Sequence, residues 1–218
     1  MLLEQVSHAR AEPPSADDGA FVLDEVLGLY LVAEHRRREP KAALAAMRAV
    51  EEVYAGFCVW NRGHDAMTTH TEELRRYFVR ALDRALELVE PYTPDIALAQ
   101  FSLDRVVLAS AGDAAALLLR GAGYRWLLAG ARDSCSLYLE PDDVIVLMSS
   151  RVATAPHILR ELVALSVGGA APDELVSRAS LADETTMAVI RSRRALPAAT
   201  RRATITADVF APAARSRT

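Results

Sequence analysis

The sequence has little cysteine, no long apolar run and no large excess of charge of either sign. Its two cysteines, Cys58 and Cys135, stand in neither a CxxC pair nor a histidine-spaced zinc pattern. This argues against a disulfide framework and against structural zinc. We expect both cysteines to be ordinary buried thiols.

Further absences limit the partners and the location of the protein. A net charge of -4 gives no cationic field to attract nucleic acid or an anionic membrane. No apolar stretch approaches the roughly 18 residues of a spanning helix, and the start, MLLEQVSHARAE, lacks a secretory signal pattern. We therefore expect a cytoplasmic protein that binds neither nucleic acid nor membrane.

What the chain has is enough apolar material for a packed core. Of its 218 residues, 51% are hydrophobic, which suits one domain with a tail and excludes a wholly disordered chain. The composition changes near Arg194, so we predict a domain over 1–194 and a tail over 195–218 rich in Ala, Pro, Thr and Arg. Two possibilities stay open for the tail: disorder, or an edge strand from its ITADVF segment (205–210).

The hydrophobic pattern alternates between strand and helix periods. FVLDE and LYLVA flank a turn at Gly28 and predict a hairpin. Apolar residues at helical spacing then predict two helices, the first with Leu44 and the second with Leu88 on its buried face. Short apolar runs over 96–149 predict an antiparallel block, and two further helices and a strand follow. Grouped strands and grouped helices indicate an α+β domain.

Four segments in this order resemble the type 2C metal-dependent (PPM) protein phosphatases. SLDRVVLASAGDAAALLLR resembles their strand, Gly-Asp turn and strand, and LEPDDVIVLMSS resembles their Leu-x-Pro-Gly-Asp-x-x-x-Leu-x-Ser-Asp-Gly segment. FVLDEVLGLYLVAEHRRRE resembles the opening hairpin, and LADETTMAVIRSR resembles the closing Asp-Asn-x-Thr strand. The resemblance implies an αββα sandwich, with two antiparallel sheets between antiparallel helix pairs. The long flap of this family is lacking, as it is in trimmed bacterial relatives.

Enzymes of this family need acids that converge on two divalent ions and a bridging water. By the resemblance, the first acid falls at Gly19, with Asp18 or Asp17 as substitutes if the loop slips. The bridging Asp becomes Glu34, and the Asp of Ser-Asp-Gly becomes Ser150. Only the last acid is retained, as Asp183. We interpret these positions as the remains of a metal site and expect no metal cofactor and no catalytic residue.

The glycine-rich turn of the family is replaced here by His35-Arg36-Arg37-Arg38. Three guanidinium groups disfavour bound dications and favour pairing with carboxylates or phosphate. We therefore predict that one of these arginines pairs with a remaining acid, and that His35 and the arginines contact a phosphoryl group or a partner.

The sequence thus predicts a pseudophosphatase, a phosphatase-like protein that binds without catalysing. The resemblance implies a partner in bacterial Ser/Thr signalling, either a kinase or a phosphoprotein. The alternative is a weak Mn²⁺- or Mg²⁺-dependent Ser/Thr phosphatase that recruits Asp17, Asp18, Glu34 and Asp183 into a rebuilt site.

Overall fold

The computed structural model describes residues 5–11, 19–35, 40–64, 70–102, 105–130, 132–180 and 186–193. These residues form ten strands: β1 Gln5–Ala11, β2 Gly19–Asp24, β3 Leu29–Glu34, β4 Asp95–Ser102, β5 Arg105–Ala111, β6 Ala115–Arg120, β7 Gly123–Ala129, β8 Ser134–Tyr138, β9 Val144–Met148 and β10 Met187–Arg193. They also form five helices: α1 Pro40–His64, α2 Thr71–Leu88, α3 Ser150–Ala153, α4 Pro156–Val167 and α5 Pro172–Ser180.

The strands form two five-stranded sheets in which every neighbouring pair is antiparallel. Sheet 1 has the order β1-β10-β9-β6-β7, and sheet 2 has the order β2-β3-β4-β5-β8. Helices α1 and α2 pack on sheet 2, and α5 packs on β1 and β10 of sheet 1 beside α4. The predicted αββα sandwich is therefore confirmed.

Three apolar layers hold the sandwich together. The inter-sheet layer contains residues such as Leu108, Leu118 and Leu147, and each helix pair covers a further layer. Helix α1 presents the small side chains of Ala45, Ala46 and Ala49 to its layer, which allows close approach to sheet 2. The aliphatic run VIVLM of β9 is buried along its whole length, as expected for a strand covered on both faces.

Several details correct the expectations from sequence. Leu44 and Leu88 are 46% and 61% exposed, because the buried faces of their helices are narrower than the apolar spacing indicates. Cys58 and Cys135 are only partly buried. Strands β1 and β8 and the short helix α3 were not predicted. Among the described residues, no helix is long and apolar enough to cross a membrane.

Candidate functional site

One end of the sandwich brings together the described positions at which the resemblance places the metal site. Gly19 begins β2 and stands opposite Glu34 at the end of β3, which in turn stands opposite Asp95 at the start of β4. Across the sandwich, Ser149 follows β9 and donates its backbone N–H to the carbonyl of Thr186, just before β10, at 3.1 Å. The two sheets thus contribute polar residues to the same end.

The centre of this site is an ion pair between Glu34 and Arg151. Arg151 Nη1 lies 3.1 Å from Glu34 Oε1, where the Glu34 side chain is 3% exposed and that of Arg151 is 29% exposed. Arg151 is the second residue of α3, which begins one residue after the end of β9. A carboxylate this deeply buried needs a compensating charge, and Arg151 supplies it.

The second carboxylate oxygen of Glu34, Oε2, differs from Oε1 in its surroundings. Glu34 Oε2, Ser149 Oγ and Thr186 Oγ1 are buried and have no hydrogen-bond partner among the residues that the structure describes. Burial raises the pKa of the Glu34 carboxyl above its ordinary value of 4.5. The Ser149 hydroxyl, the Arg151 guanidinium and the Thr186 hydroxyl oppose this rise, whereas the charge of Asp95 adds to it. The two hydroxyls lie outside hydrogen-bonding geometry, so their effect on the Glu34 pKa is weak and burial is its main cause.

Asp95 is held in place by the turn that joins β5 to β6. Its Oδ1 accepts a hydrogen bond from the Asp113 backbone N–H at 2.7 Å. The preceding residue, Gly112, has a φ of +67°, and a Cβ there would lie 2.5 Å from the same Oδ1. The turn therefore requires glycine, and the predicted Gly-Asp turn serves to bind a neighbouring carboxylate through its backbone.

Gly19 occupies a position where a side chain has little room. A Cβ on Gly19 would lie 3.0 Å from Thr186 Oγ1 and 3.2 Å from Thr186 Cγ2. Thr186 thus fills the space next to the position where the resemblance expects an acid. The loss of that acid and the placement of Thr186 fit each other sterically.

Several predicted site residues lie outside the described part of the chain: Asp18, Arg36, Arg37, Arg38 and Asp183. The predicted pairing of one of these arginines with an acid is therefore untested. His35 is described, and its ring packs edge-on against Tyr92 with the centroids 6.0 Å apart. Ser150 begins α3 and carries no charge.

The donor set of the described residues does not fit a pair of divalent ions. No group of three or more His, Cys, Asp or Glu side chains in this part of the chain could hold a metal. Of the positions Gly19, Glu34 and Ser150, only Glu34 carries a carboxylate, and its Oε1 is paired with Arg151. Hard dications require several free oxygen ligands, which these positions do not provide.

Sequence reasoning missed Arg151, which is the cation that pairs with Glu34. It follows Ser150, so it stands where the glycine of the Ser-Asp-Gly motif would stand. The sequence therefore did contain a signal for this ion pair. Compared with the Ser-Asp-Gly motif, the segment has lost an acid at Ser150 and gained a base at the adjacent Arg151.

No family model matches the sequence. No curated protein matches it either. The fold, in contrast, is that of the PPM or type 2C Ser/Thr phosphatase domains. The Mycobacterium tuberculosis phosphatase PstP/Ppp aligns with a TM-score of 0.61 at 14% identity, over 87% of this chain and 99% of that chain.

Two further structures extend the likeness beyond that phosphatase. The RsbU and RsbW domains of a Mycobacterium tuberculosis protein align with a TM-score of 0.63 at 16% identity, over 88% of this chain and 62% of that one. The SiaA-PP2C domain of Pseudomonas aeruginosa aligns with a TM-score of 0.59 at 12% identity, over 88% and 87%. At such identities the likeness establishes the fold, so function must be argued from the site.

Proposed function

We propose that this chain is a catalytically inactive, phosphatase-like binding protein of bacterial Ser/Thr phosphorylation signalling, acting in the cytoplasm. The observation that carries the proposal is the Arg151 guanidinium 3.1 Å from Glu34. Two-metal hydrolysis needs carboxylates that are free to bridge divalent ions and an activated water. Here a side chain of the same protein neutralises the carboxylate, so the site binds a partner without cleaving it.

The proposed ligand is a phosphoprotein or a Ser/Thr kinase, which binds the end of the domain 1–194 that carries Glu34. The sequence directly after Glu34 supplies His35, Arg36, Arg37 and Arg38. Guanidinium groups bind phosphate through charge-assisted, bidentate hydrogen bonds, which need no metal. A structural neighbour, PppA, is described as a key regulatory component of a secretion system in Pseudomonas aeruginosa, and another comes from the bacterial stressosome. These roles of other proteins support a regulatory role here.

The first test concerns metal and turnover. We expect the full chain to show no Mn²⁺- or Mg²⁺-dependent hydrolysis of p-nitrophenyl phosphate, and no rise in melting temperature with millimolar metal, because a native-state ligand must raise it. One neighbour, the catalytic domain of PstP, was crystallised with two manganese ions. Turnover that disappears in Asp183→Ala would instead establish the alternative, a weak phosphatase with a rebuilt site from Asp17, Asp18, Glu34 and Asp183.

A double variant tests the blocking role of Arg151 directly. Ser150→Asp with Arg151→Gly restores the Ser-Asp-Gly sequence and removes the cation from Glu34. This variant should gain a manganese-dependent rise in melting temperature. Ser150→Asp alone should not, because Arg151 still forms its ion pair with Glu34. Equal responses of the two variants would show that Arg151 does not exclude the metal.

The second test concerns phosphate recognition. A phosphothreonine peptide from a kinase activation segment should bind more tightly than its unphosphorylated form in calorimetry. Changing Arg36, Arg37 and Arg38 together to alanine should abolish that preference. The matched control changes three tail arginines, Arg201, Arg202 and Arg215, to alanine. If the preference survives the first triple variant, the proposed phosphate-binding surface is wrong.

A further inference from the structure

The outer edge of β7 is a strand edge that carries exposed aromatic side chains. Among the described strands, β7 is last in sheet 1 and pairs only with β6. Tyr124 is 59% exposed, and Trp126 is only partly buried against the apolar layer beneath the helices. An edge with unpaired amides and apolar side chains is an association site that folded proteins usually cover.

The two faces of β7 differ in chemistry. Trp126 stands opposite Leu117, a member of the helix-side layer, so Trp126 and Tyr124 lie on the helix side of sheet 1. Arg125 stands opposite Leu118, a member of the inter-sheet layer. Arg125 is exposed and is absent from the ion pairs formed by the described residues. A matching strand would therefore present apolar side chains on one face and an acid on the other.

The C-terminal segment of this same chain starts at the end of sheet 1 where β7 begins. One row of the register crosses the sheet through Arg191, Val144, Leu119 and Tyr124. Three strand spacings of about 4.8 Å separate β10 from β7, a distance of about 14 Å. Roughly eleven residues lie between the end of β10 and position 205, and they can span about 36 Å when extended. The segment after them can therefore reach the edge of β7.

That segment has the pattern a matching strand requires. Residues 205–210, ITADVF, lie outside the described part of the chain. In an extended strand, Ile205, Ala207 and Val209 would share one face, and Thr206, Asp208 and Phe210 the other. Asp208 is also the single acid after Arg194. The apolar face of the segment thus matches Tyr124 and Trp126 on β7, and Asp208 matches Arg125.

We propose that residues 205–210 bind in cis as an additional strand along the free edge of β7. Their apolar face covers Tyr124 and Trp126, and Asp208 lies on the side of Arg125. Backbone hydrogen bonds give such strand addition its affinity, and alternate side chains give it its register. Because this edge is formed by residues other than those of the Glu34 site, the inference does not depend on the proposed function.

Hydrogen exchange of the full chain tests the strand addition. The amides of β7 should exchange slowly in the native chain and about tenfold faster in Val209→Asp, because the added strand no longer pairs. Ala213→Asp places the same charge outside the segment and should leave β7 unchanged. The amides of β2, the edge strand of sheet 2 that lies away from β7, should be unaffected by either variant and serve as the internal reference.

A charge exchange tests the register. Asp208→Arg should speed exchange at β7, and combining it with Arg125→Asp should restore slow exchange, whereas Asp173→Arg on the exposed face of α5 should have no effect. Rapid exchange of β7 in the native chain would overturn the proposal. Protection of β7 that rises with protein concentration, accompanies dimers in gel filtration and survives Val209→Asp would also overturn it, since a second copy would then cover the edge.

Discussion

At the scale of single residues, Gly112 is a position where the backbone tolerates little change. Its φ of +67° is left-handed, and a Cβ would come within 2.5 Å of Asp95 Oδ1. We expect Gly112→Ala to lower the free energy of unfolding by about 2–3 kcal/mol, partly from backbone strain and partly from disturbing the bond between Asp95 and Asp113.

The matched control for Gly112 is Gly121. Its φ is +54°, but a Cβ there would meet nothing within 4 Å. Gly121→Ala should therefore lower the free energy of unfolding in urea by only about 1 kcal/mol, which is the cost of a left-handed backbone conformation at a residue with a Cβ. Equal losses for the two variants would mean that the Asp95 carboxylate moves aside without penalty.

The raised pKa of Glu34 makes a prediction about pH. Burial favours the neutral form, so the native state holds a proton more firmly than the unfolded state does. The contribution of Glu34 is then most favourable below its ordinary pKa of 4.5 and is lost as the pH rises through the raised value. The stability of the native protein relative to Glu34→Gln should therefore fall from pH 4 to pH 7 in urea titrations. A difference that stays constant, or that rises, would contradict the assigned direction.

At the scale of elements, one arginine ties the ends of β6 and β9 together. Arg120 Nε and Nη2 donate to Asp143 Oδ1 and Oδ2 at 2.8 and 2.6 Å, and Nη1 donates to Glu140 at 2.8 Å. The Asp143 side chain is 1% exposed, whereas that of Glu140 is 64% exposed. The two acids therefore share a partner but differ in solvent access.

We expect Asp143→Ala to destabilise the fold by about 2–3 kcal/mol, because a buried carboxylate and its bidentate, charge-assisted hydrogen bonds are lost while the remaining Arg120 is 39% exposed and can be hydrated. Glu140→Gln should cost less than about 1 kcal/mol, since water screens the exposed pair. Chemical unfolding of the two variants compares them directly. Similar losses of unfolding free energy in the two variants would show that burial of Asp143 does not strengthen its ion pair with Arg120.

The sequence made most of the elements predictable, because their apolar periods are clear and Gly28, Gly112 and Pro141 mark turns. Strand β8 was missed because its SCSLY sequence lies at a sheet edge and is only half-buried, so it lacks a strong apolar signal. The site was harder to predict. Glu34 and Ser150 were placed by motif, but the pairing of Glu34 with Arg151 depends on how α3 follows β9, and periodicity carries no such information.

At the scale of the whole molecule, the inter-sheet layer links two halves that each have their own helices. Trp60 packs at the α1 side and Trp126 at the sheet 1 side, and the sequence contains only these two tryptophans. Single-tryptophan variants, Trp60→Phe and Trp126→Phe, therefore report on opposite halves by fluorescence.

We expect both reporters to show the same unfolding midpoint, because a shared core makes unfolding cooperative. Leu108→Ala in the inter-sheet layer should lower both midpoints together, at a cost of about 3 kcal/mol. Leu88→Ala, at a 61% exposed position, should change the free energy of unfolding reported by either tryptophan by less than about 0.5 kcal/mol. Two separate midpoints would mean that the halves unfold independently.

The contact between Arg151 and Glu34 also affects how the protein responds to its surroundings. A guanidinium fixed to the backbone cannot be stripped by a chelator or diluted away, and it does not compete with other ions for its place. The positive charge that balances Glu34 is therefore encoded in the polypeptide itself.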